Sequence, residues 1–313
     1  ARAKEVGATT GAKITIANDL AAAESADILT SDAVKVILPD LSAGCSMADM
    51  ADIDQVEDAW DTLSAATDAT VIPITYVNSS AAVKAFCGRH GGACCTSSNA
   101  RLVLEWALTQ GDKVLFLPDQ HLGRNTAYAM GHPLSDMVVF DPHKRDGDLT
   151  AKQIRDAGFI LWKGHCSVHQ LFTPSNCDEI RRLDPNCKII VHPECPWEVV
   201  QNADLAGSTE FIIKTVREAQ SGSSWAIGTE IHLINRLATE HTDKAVRSLA
   251  GIQCLCTTMY RIDARHLLHA LDALADGGMA NRITVDPTTK RFALVALDRM
   301  LANTAPQPTP ASS

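Results

Sequence analysis

Three cysteines stand far apart in the chain, each in a short polar or small-residue turn beside an apolar run: Ala43-Gly44-Cys45-Ser46, Gly164-His165-Cys166-Ser167 and Cys254-Leu255-Cys256-Thr257-Thr258. Widely separated thiols at the ends of three α/β segments are what a trigonal metal or cluster site built from three domains needs. Val191-His192-Pro193-Glu194 sets a carboxylate next to an imidazole at an expected strand end, where Pro193 keeps the backbone extended and stops the strand. A solvated loop pair has the same pattern, but burial would tune these groups for proton transfer. Thr96-Ser97-Ser98-Asn99 and Gly207-Ser208-Thr209-Glu210 read as helix starts. Hydroxyls there serve as ordinary N-caps; the same free N–H groups and dipole end also suit a carboxylate or phosphate. Tyr76 and Asn78 close another apolar strand, and ligands of open α/β sheets collect beyond such carboxyl ends.

Composition narrows the chemistry. The chain has 313 residues, 46% hydrophobic and 21% charged, enough for two or three ordinary domains. A formal charge of -9 argues against nucleic acid or an anionic membrane and for a small ligand. No run approaches the ~18 apolar residues of a membrane span, so the cytoplasm is the expected location. Ten cysteines in such a chain are not a disulfide scaffold. Cys-x-x-Cys is absent, which removes support for a zinc ribbon or a ferredoxin-type site. Cys87, Cys94, Cys177 and Cys187 read as small buried hydrophobes. No phosphate-binding glycine loop supports a nucleotide site, and no expected helix carries the His-x-x-x-His of a zinc enzyme.

The elements that must position these groups alternate between short β-rich runs and helix-period segments, the pattern of parallel α/β layers. Strands are expected at Val34–Leu38, Val71–Val77, Lys113–Leu117, Phe159–Trp162, Lys188–Val191 and Ser224–Gly228, with helices at Asn99–Gln110, Ser208–Gln220 and Asp263–Asp276. The last helix shows a stripe of Leu267, Leu268, Leu271 and Leu274, and the tail from Thr304, rich in Pro and Ser, reads as disordered. A weak repeat joins a polar strand end, a hydroxyl at a helix start and a terminal cysteine: Tyr76 and Asn78, Ser97, then Cys166; His192 and Glu194, Thr209, then Cys256. Three related α/β domains are expected, over about 1–69, 70–187 and 188–313, the first truncated at its amino end and offering only Cys45.

Several blocks resemble the quinolinate synthase family. They are Leu38-Pro39-Asp40-Leu41-Ser42-Ala43-Gly44-Cys45-Ser46-Met47-Ala48-Asp49, Tyr76-Val77-Asn78-Ser79-Ser80-Ala81-Ala82-Val83-Lys84, Cys95-Thr96-Ser97-Ser98-Asn99-Ala100, Pro118-Asp119-Gln120-His121-Leu122-Gly123-Arg124-Asn125, Trp162-Lys163-Gly164-His165-Cys166-Ser167-Val168-His169, Val191-His192-Pro193-Glu194-Cys195-Pro196, Gly207-Ser208-Thr209 and Cys256-Thr257-Thr258-Met259-Tyr260-Arg261-Ile262. The resemblance implies three three-layer αβα domains around a pseudo-threefold axis. It also implies a [4Fe–4S] enzyme of NAD biosynthesis that condenses iminosuccinate with dihydroxyacetone phosphate to quinolinate, losing two waters and phosphate, in functional coupling with an L-aspartate oxidase. Cluster ligands then fall on Cys45, Cys166 and Cys256. Cys254 is the rival for the third place, but Cys256 stands three residues before Met259, as the family's ligand does. Cys95 and Cys195 are not ligands in the family. Substrate contacts fall on Tyr76, Val77, Asn78, Ser97, His192, Pro193, Glu194 and Thr209, with Glu194, His192 and Tyr76 in proton transfer.

The chain departs from that pattern at its start. The family's His-x-Tyr strand end and Gly-Asp-Ser motif would precede Ala1, and Ala1-Arg2-Ala3-Lys4 resembles the helix that follows them. Where the family reads Gly-Val-His-Phe-Met-Ala-Glu, this chain has Asn18-Asp19-Leu20-Ala21-Ala22-Ala23-Glu24. Two functions follow as expectations: a quinolinate synthase, or a catalytically impaired iron–sulfur protein that binds a small dicarboxylate or phosphate.

Overall fold

The computed structural model describes residues 14–251 and 254–304. The opening stretch compared with a family helix, and the Pro- and Ser-rich tail beyond Thr304, lie outside the described residues. In chain order the elements are β1 (Ile14–Ile16), α1 (Leu20–Leu29), β2 (Lys35–Ile37), α2 (Ile53–Ala66), β3 (Val71–Tyr76), α3 (Ala81–Arg89), β4 (Ala93–Cys95), α4 (Ala100–Gln110), β5 (Lys113–Leu117), α5 (Gln120–Ala129), β6 (Met137–Phe140), α6 (Ala151–Asp156), β7 (Phe159–Trp162) and α7 (Pro174–Leu183). They continue with β8 (Lys188–Val191), α8 (Trp197–Asn202), β9 (Leu205–Ala206), α9 (Thr209–Glu218), β10 (Ser224–Gly228), α10 (Ile231–Glu240), β11 (Ala245–Ser248), α11 (Ala264–Ala275), β12 (Arg282–Ile283) and α12 (Pro287–Thr304).

These strands form three sheets. The middle sheet, in the order β4-β3-β5-β7-β6, and the third, β11-β10-β8-β9, are parallel throughout. The first is smaller, β1-β2-β12, with β1 parallel and β12 antiparallel to β2. Parallel strands covered on both faces read as unbroken apolar runs, and here alternate residues serve opposite cores. Leu115, Leu117, Ile160 and Trp162 join α2 and α3 on one face, whereas Val114, Phe116, Phe159 and Leu161 join α4 and α5 on the other. The third sheet repeats this, with Ile189, Val191 and Ala226 on one side and Ile190, Trp225 and Ile227 on the other.

The last two elements leave the third sheet. β12 pairs with β2, and α12 lies along α3 at the β4 edge of the middle sheet, where Ala293, Ala296 and Leu297 share a core with Ala85 and Phe86. Gly88 makes that approach possible, because a Cβ there would sit 1.9 Å from the Phe292 carbonyl oxygen. Arg299 ties the pair by donating from Nη1 to the Gly92 carbonyl at 2.7 Å. Among the described residues no helix is long and apolar enough to cross a membrane.

Gly88→Ala must therefore push the two helices apart. We expect it to lower unfolding free energy by about 2–4 kcal/mol in urea titrations. Gly251→Ala, at a site with no heavy atom within 4 Å of the added carbon, should cost less than about 0.5 kcal/mol; equal costs would refute the close-packing argument.

Candidate active site

The cavity-lining residues gather at and just beyond the carboxyl ends of strands in all three sheets. Asp19 follows β1, Cys45 follows β2, Tyr76 and Asn78 end β3, Cys166 and His169 follow β7, His192 and Glu194 follow β8, Thr209 follows β9, Thr229 and Glu230 follow β10, and Cys256 follows β11. All of them line one cavity of about 230 Å³. Parallel sheets expose unpaired backbone groups and helix amino termini at this edge, which is why ligands gather there.

The three cysteine turns have one local design. Each cysteine carbonyl accepts from the N–H four residues on: Asp49 at 3.1 Å, Gln170 at 2.9 Å and Tyr260 at 3.0 Å. Each is followed three residues later by a single 3-10 turn, Ala48–Met50, His169–Leu171 and Met259–Arg261. An α-helix starts eight residues after each, at Ile53, Pro174 and Ala264, behind Asp52, Thr173 and Asp263 as N-caps. The turns also interlock. Ser46 Oγ and Ser167 Oγ are 3.4 Å apart, Trp162 Nε1 donates to the Met50 carbonyl at 2.6 Å, and a Cβ on Gly164 would meet the Pro118 carbonyl oxygen at 2.0 Å.

Burial holds the Cys45 thiol up at about 11 and pushes Cys166 up as well, with Asp19 and Glu194 adding to the first and Glu194 and Asp119 to the second. Backbone N–H groups of Met47 and Ala48 bond Cys45, and those of Val168 and His169 bond Cys166, and they favour the thiolate. Buried sulfur that receives N–H bonds yet sits among carboxylates ionises when a metal neutralises it, the setting of a cluster ligand. Cys256 joins the lining with its Sγ 3.4 Å from Thr258 Oγ1. Cys254 is fully buried, as are Cys95 and Cys195, and none of these lines the cavity.

The His192–Glu194 pair is not a solvated loop, since both residues are only 3% exposed. Glu194 Oε2 lies 3.1 Å from His192 Nδ1 and 2.9 Å from His169 Nδ1, and the two rings stack with centroids 4.6 Å apart. Burial alone would raise the Glu194 carboxyl, but the charges and bonds of His192 and His169 outweigh it and hold Glu194 below the usual carboxylate range. The same burial, with His192 beside it, lowers His169. Glu194 Oε1 has no hydrogen-bond partner and is buried, so one oxygen remains free to accept. Burial, with Glu194 nearby, raises the Tyr76 phenol well above its ordinary value despite a Ser97 hydrogen bond, so Tyr76 is a proton-bearing donor.

Ser97 thus reaches the site through Tyr76, while Val77 and Pro193 are not among the lining side chains. Ser208 is the plain N-cap of α9, accepting from the Phe211 N–H at 3.3 Å, and leaves Thr209 to face the cavity. Sequence reasoning gave no role to His169, Asp19, Thr229 or Glu230. The signal for His169 was its place three residues after Cys166, which puts both on one side of a single helical turn.

The family model for the quinolinate synthetase A protein matches residues 5–302. The chain belongs to this family. It is 59% identical over 288 residues to a quinolinate synthase of Nocardioides, covering 90% of this chain and 73% of that one. It is 57% identical over 284 residues to the quinolinate synthase of a Geobacillus strain, covering 90% and 76%. With that of Streptomyces coelicolor it shares 56% over 284 residues, covering 90% and 72%. Quinolinate synthases act in NAD biosynthesis and use a [4Fe–4S] cluster.

Beside the site, in this member of the quinolinate synthase family, burial pushes the His121 imidazole down to about 4, a Gln170 bond at 2.8 Å only partly opposing it. Unfolded His121 takes its proton near pH 6.5, so between 6.5 and 4 the unfolded chain binds more protons. The stability it contributes is complete above pH 6.5 and drains away as the pH falls toward 4. From pH 7 to 4.5, His121→Gln should lose about 2 kcal/mol less unfolding free energy than wild type; parallel pH curves would show that His121 does not titrate this way.

Proposed function

We propose that the cavity condenses iminosuccinate with dihydroxyacetone phosphate to quinolinate, releasing two waters and phosphate. The observation that carries this reading is the convergence of Cys45, Cys166 and Cys256 on a cavity that also holds the Glu194, His169 and His192 trio and Tyr76. Cys45, Cys166 and Cys256 are the residues that would hold the [4Fe–4S] cluster, which would supply Lewis-acid chemistry to the substrate. The matching turns support three related αβα units, over about 1–69, 70–187 and 188–313, arranged around a pseudo-threefold axis, with β12 and α12 at the end of the third segment packed on the first and middle units.

The protein groups divide the remaining work. Glu194, ionised and with one free oxygen, takes the proton that each dehydration must remove. His169 and His192 hold its carboxylate in place, with Nδ1 atoms at 2.9 and 3.1 Å. The Tyr76 phenol donates, to orient a substrate oxygen or to protonate a departing hydroxyl. Thr209 at the start of α9, with the positive end of that helix behind it, receives a carboxylate or the phosphate, and Asn78 adds an amide across the cavity. Ser97 holds Tyr76, and the Val77 and Pro193 backbones set the two strand ends. A reducing cytoplasm suits an open iron and cysteines that form no disulfide among the described residues. An L-aspartate oxidase there would supply the iminosuccinate.

Anaerobic reconstitution should yield about four iron and four acid-labile sulfide per chain. Cys166→Ala should abolish both, while Cys177→Ala, in the core behind the third sheet, should retain them. Equal iron in the two variants would sink the ligand assignment. Glu194→Gln should keep the cluster and lower kcat by about 10²–10⁴-fold in a quinolinate assay; turnover at the wild-type rate would remove Glu194 from proton transfer.

A further inference from the structure

Helix α5 lies flat on β5 and β7, because at Gly123 a Cβ would come within 2.7 Å of the Phe116 ring. Its amino end is pinned by buried Asp119, which accepts from the His121 and Leu122 N–H groups at 2.5 and 3.1 Å. From this base two buried side chains one turn apart, His121 and Asn125, reach toward the site. Asn125 Nδ2 donates to the carbonyls of Pro193 and Cys195, both at 2.8 Å, the residues on either side of Glu194. His121 Nε2 is 2.8 Å from Gln170 Oε1, and Gln170 shares its 3-10 turn with His169. One rigid helix therefore grips both segments whose side chains meet in the 2.9 Å contact between His169 and Glu194.

The chemistry of Asn125 argues for more than packing. Its two N–H donors are spent on the Glu194 turn, while its Oδ1 is buried without a hydrogen-bond partner. A buried polar atom left unpaired costs stability, which offsets part of what the two donated bonds gain. The Glu194 turn closes on itself through the Cys195 N–H, which donates to the His192 carbonyl at 3.0 Å, and Asn125 adds the side-chain donors to its Pro193 and Cys195 carbonyls.

We propose that Asn125, assisted by His121, is a positioning residue for quinolinate synthesis: it sets the height of the Glu194 carboxylate against His169 and the substrate. The proposal rests on Glu194 as the proton carrier. A misplacement of about 1 Å at a reacting group costs on the order of 10²-fold in rate, whereas substrate contacts on other elements would be unaffected.

The test is a kinetic double-mutant cycle on the reconstituted full chain, comparing wild type, Asn125→Ala, Glu194→Gln and the double variant, with quinolinate accumulated over hours so that large losses register. Asn125→Ala is expected to retain wild-type iron and sulfide, to lose about 10–100-fold in kcat and to change KM by less than about threefold. In the Glu194→Gln background the same substitution should cost no more than about threefold, because its effect passes through the missing carboxylate. Equal fold-losses in both backgrounds, or an undiminished kcat in Asn125→Ala, would overturn the proposal. Should Asn125→Ala fail to accumulate folded, Asn125→Ser, which retains one donor, is run through the same cycle with the same criteria. A fully active Glu194→Gln would instead overturn the proton-carrier reading, so the two failures are told apart within one experiment.

Discussion

A carboxylate with 3% of its surface exposed is stable as a charge only where polar groups or opposite charges face it, since the penalty for burying it is several kcal/mol. Glu194 meets this constraint with two imidazoles, at 2.9 and 3.1 Å. His192 shares its strand end, but His169 arrives from the turn after β7 in the neighbouring sheet, and Thr229 at the end of β10 sits 3.1 Å from its other ring nitrogen. Apolar burial is non-directional and would tolerate a small slip between the middle and third sheets. The trio would not, because a slip would leave a buried charge bare. The placement of Cys166 beside Glu194, with ligand atoms of Cys166, His169 and Glu194 all within 4.8 Å of one another, follows from it.

The first sheet is tied to the same centre by different means. Its three strands are short, and it borrows β12 from the far end of the chain, with the Leu38 N–H donating to the Asn281 carbonyl at 3.1 Å and the Asn281 side chain to the Pro39 carbonyl at 3.0 Å. The segment Asn18–Glu24, where the chain departs from the family's usual wording, has work of its own. Asp19 caps α1 and lines the cavity, and Glu24 Oε2 accepts from the Ala81 N–H at 2.7 Å, which caps α3 from outside. Below them Lys84, with no exposed surface, donates to the Ser79 carbonyl; burial lowers its ammonium pKa, and Glu24 and Asp19 only partly oppose that. These polar ties hold the Cys45 turn and the Asn78 strand end in register.

Where periodicity was strong, local structure was legible in the residues. Lys113–Leu117, Phe159–Trp162, Lys188–Val191 and Ser224–Gly228 begin and end as their apolar runs do, and Ser208 and Asp263 cap their helices. Among the described residues six strands are not marked by such runs, among them Ala93–Cys95, Leu205–Ala206 and Arg282–Ile283. Two or three residues carry too little alternation to separate a strand from a loop, and these form because a longer neighbour offers its edge: β4 beside β3, β9 beside β8, β12 beside β2. The leucine stripe of α11 was read correctly as periodic, yet Leu267, Leu268 and Leu271 stay exposed and only Ala270 is buried. Periodicity reports that a face exists and says nothing of what covers it.

By itself the sequence determined the chemical inventory: three separated cysteine turns, a His-Pro-Glu strand end, hydroxyls at two helix starts and an α/β succession to carry them. Family resemblance in the blocks around these residues named the activity. Tertiary structure decided which groups meet. It put Cys256 rather than Cys254 on the cavity wall, routed Ser97 to the site through Tyr76, brought His169 to Glu194 across two sheets and lent Asn125 to a turn 68 residues away. Short-range propensity is written in neighbouring residues, so it can be read from them. Contacts between distant segments depend on sheet order, on close backbone approaches such as Gly164 against Pro118 and on the compensation of buried charge, all properties of the assembled molecule.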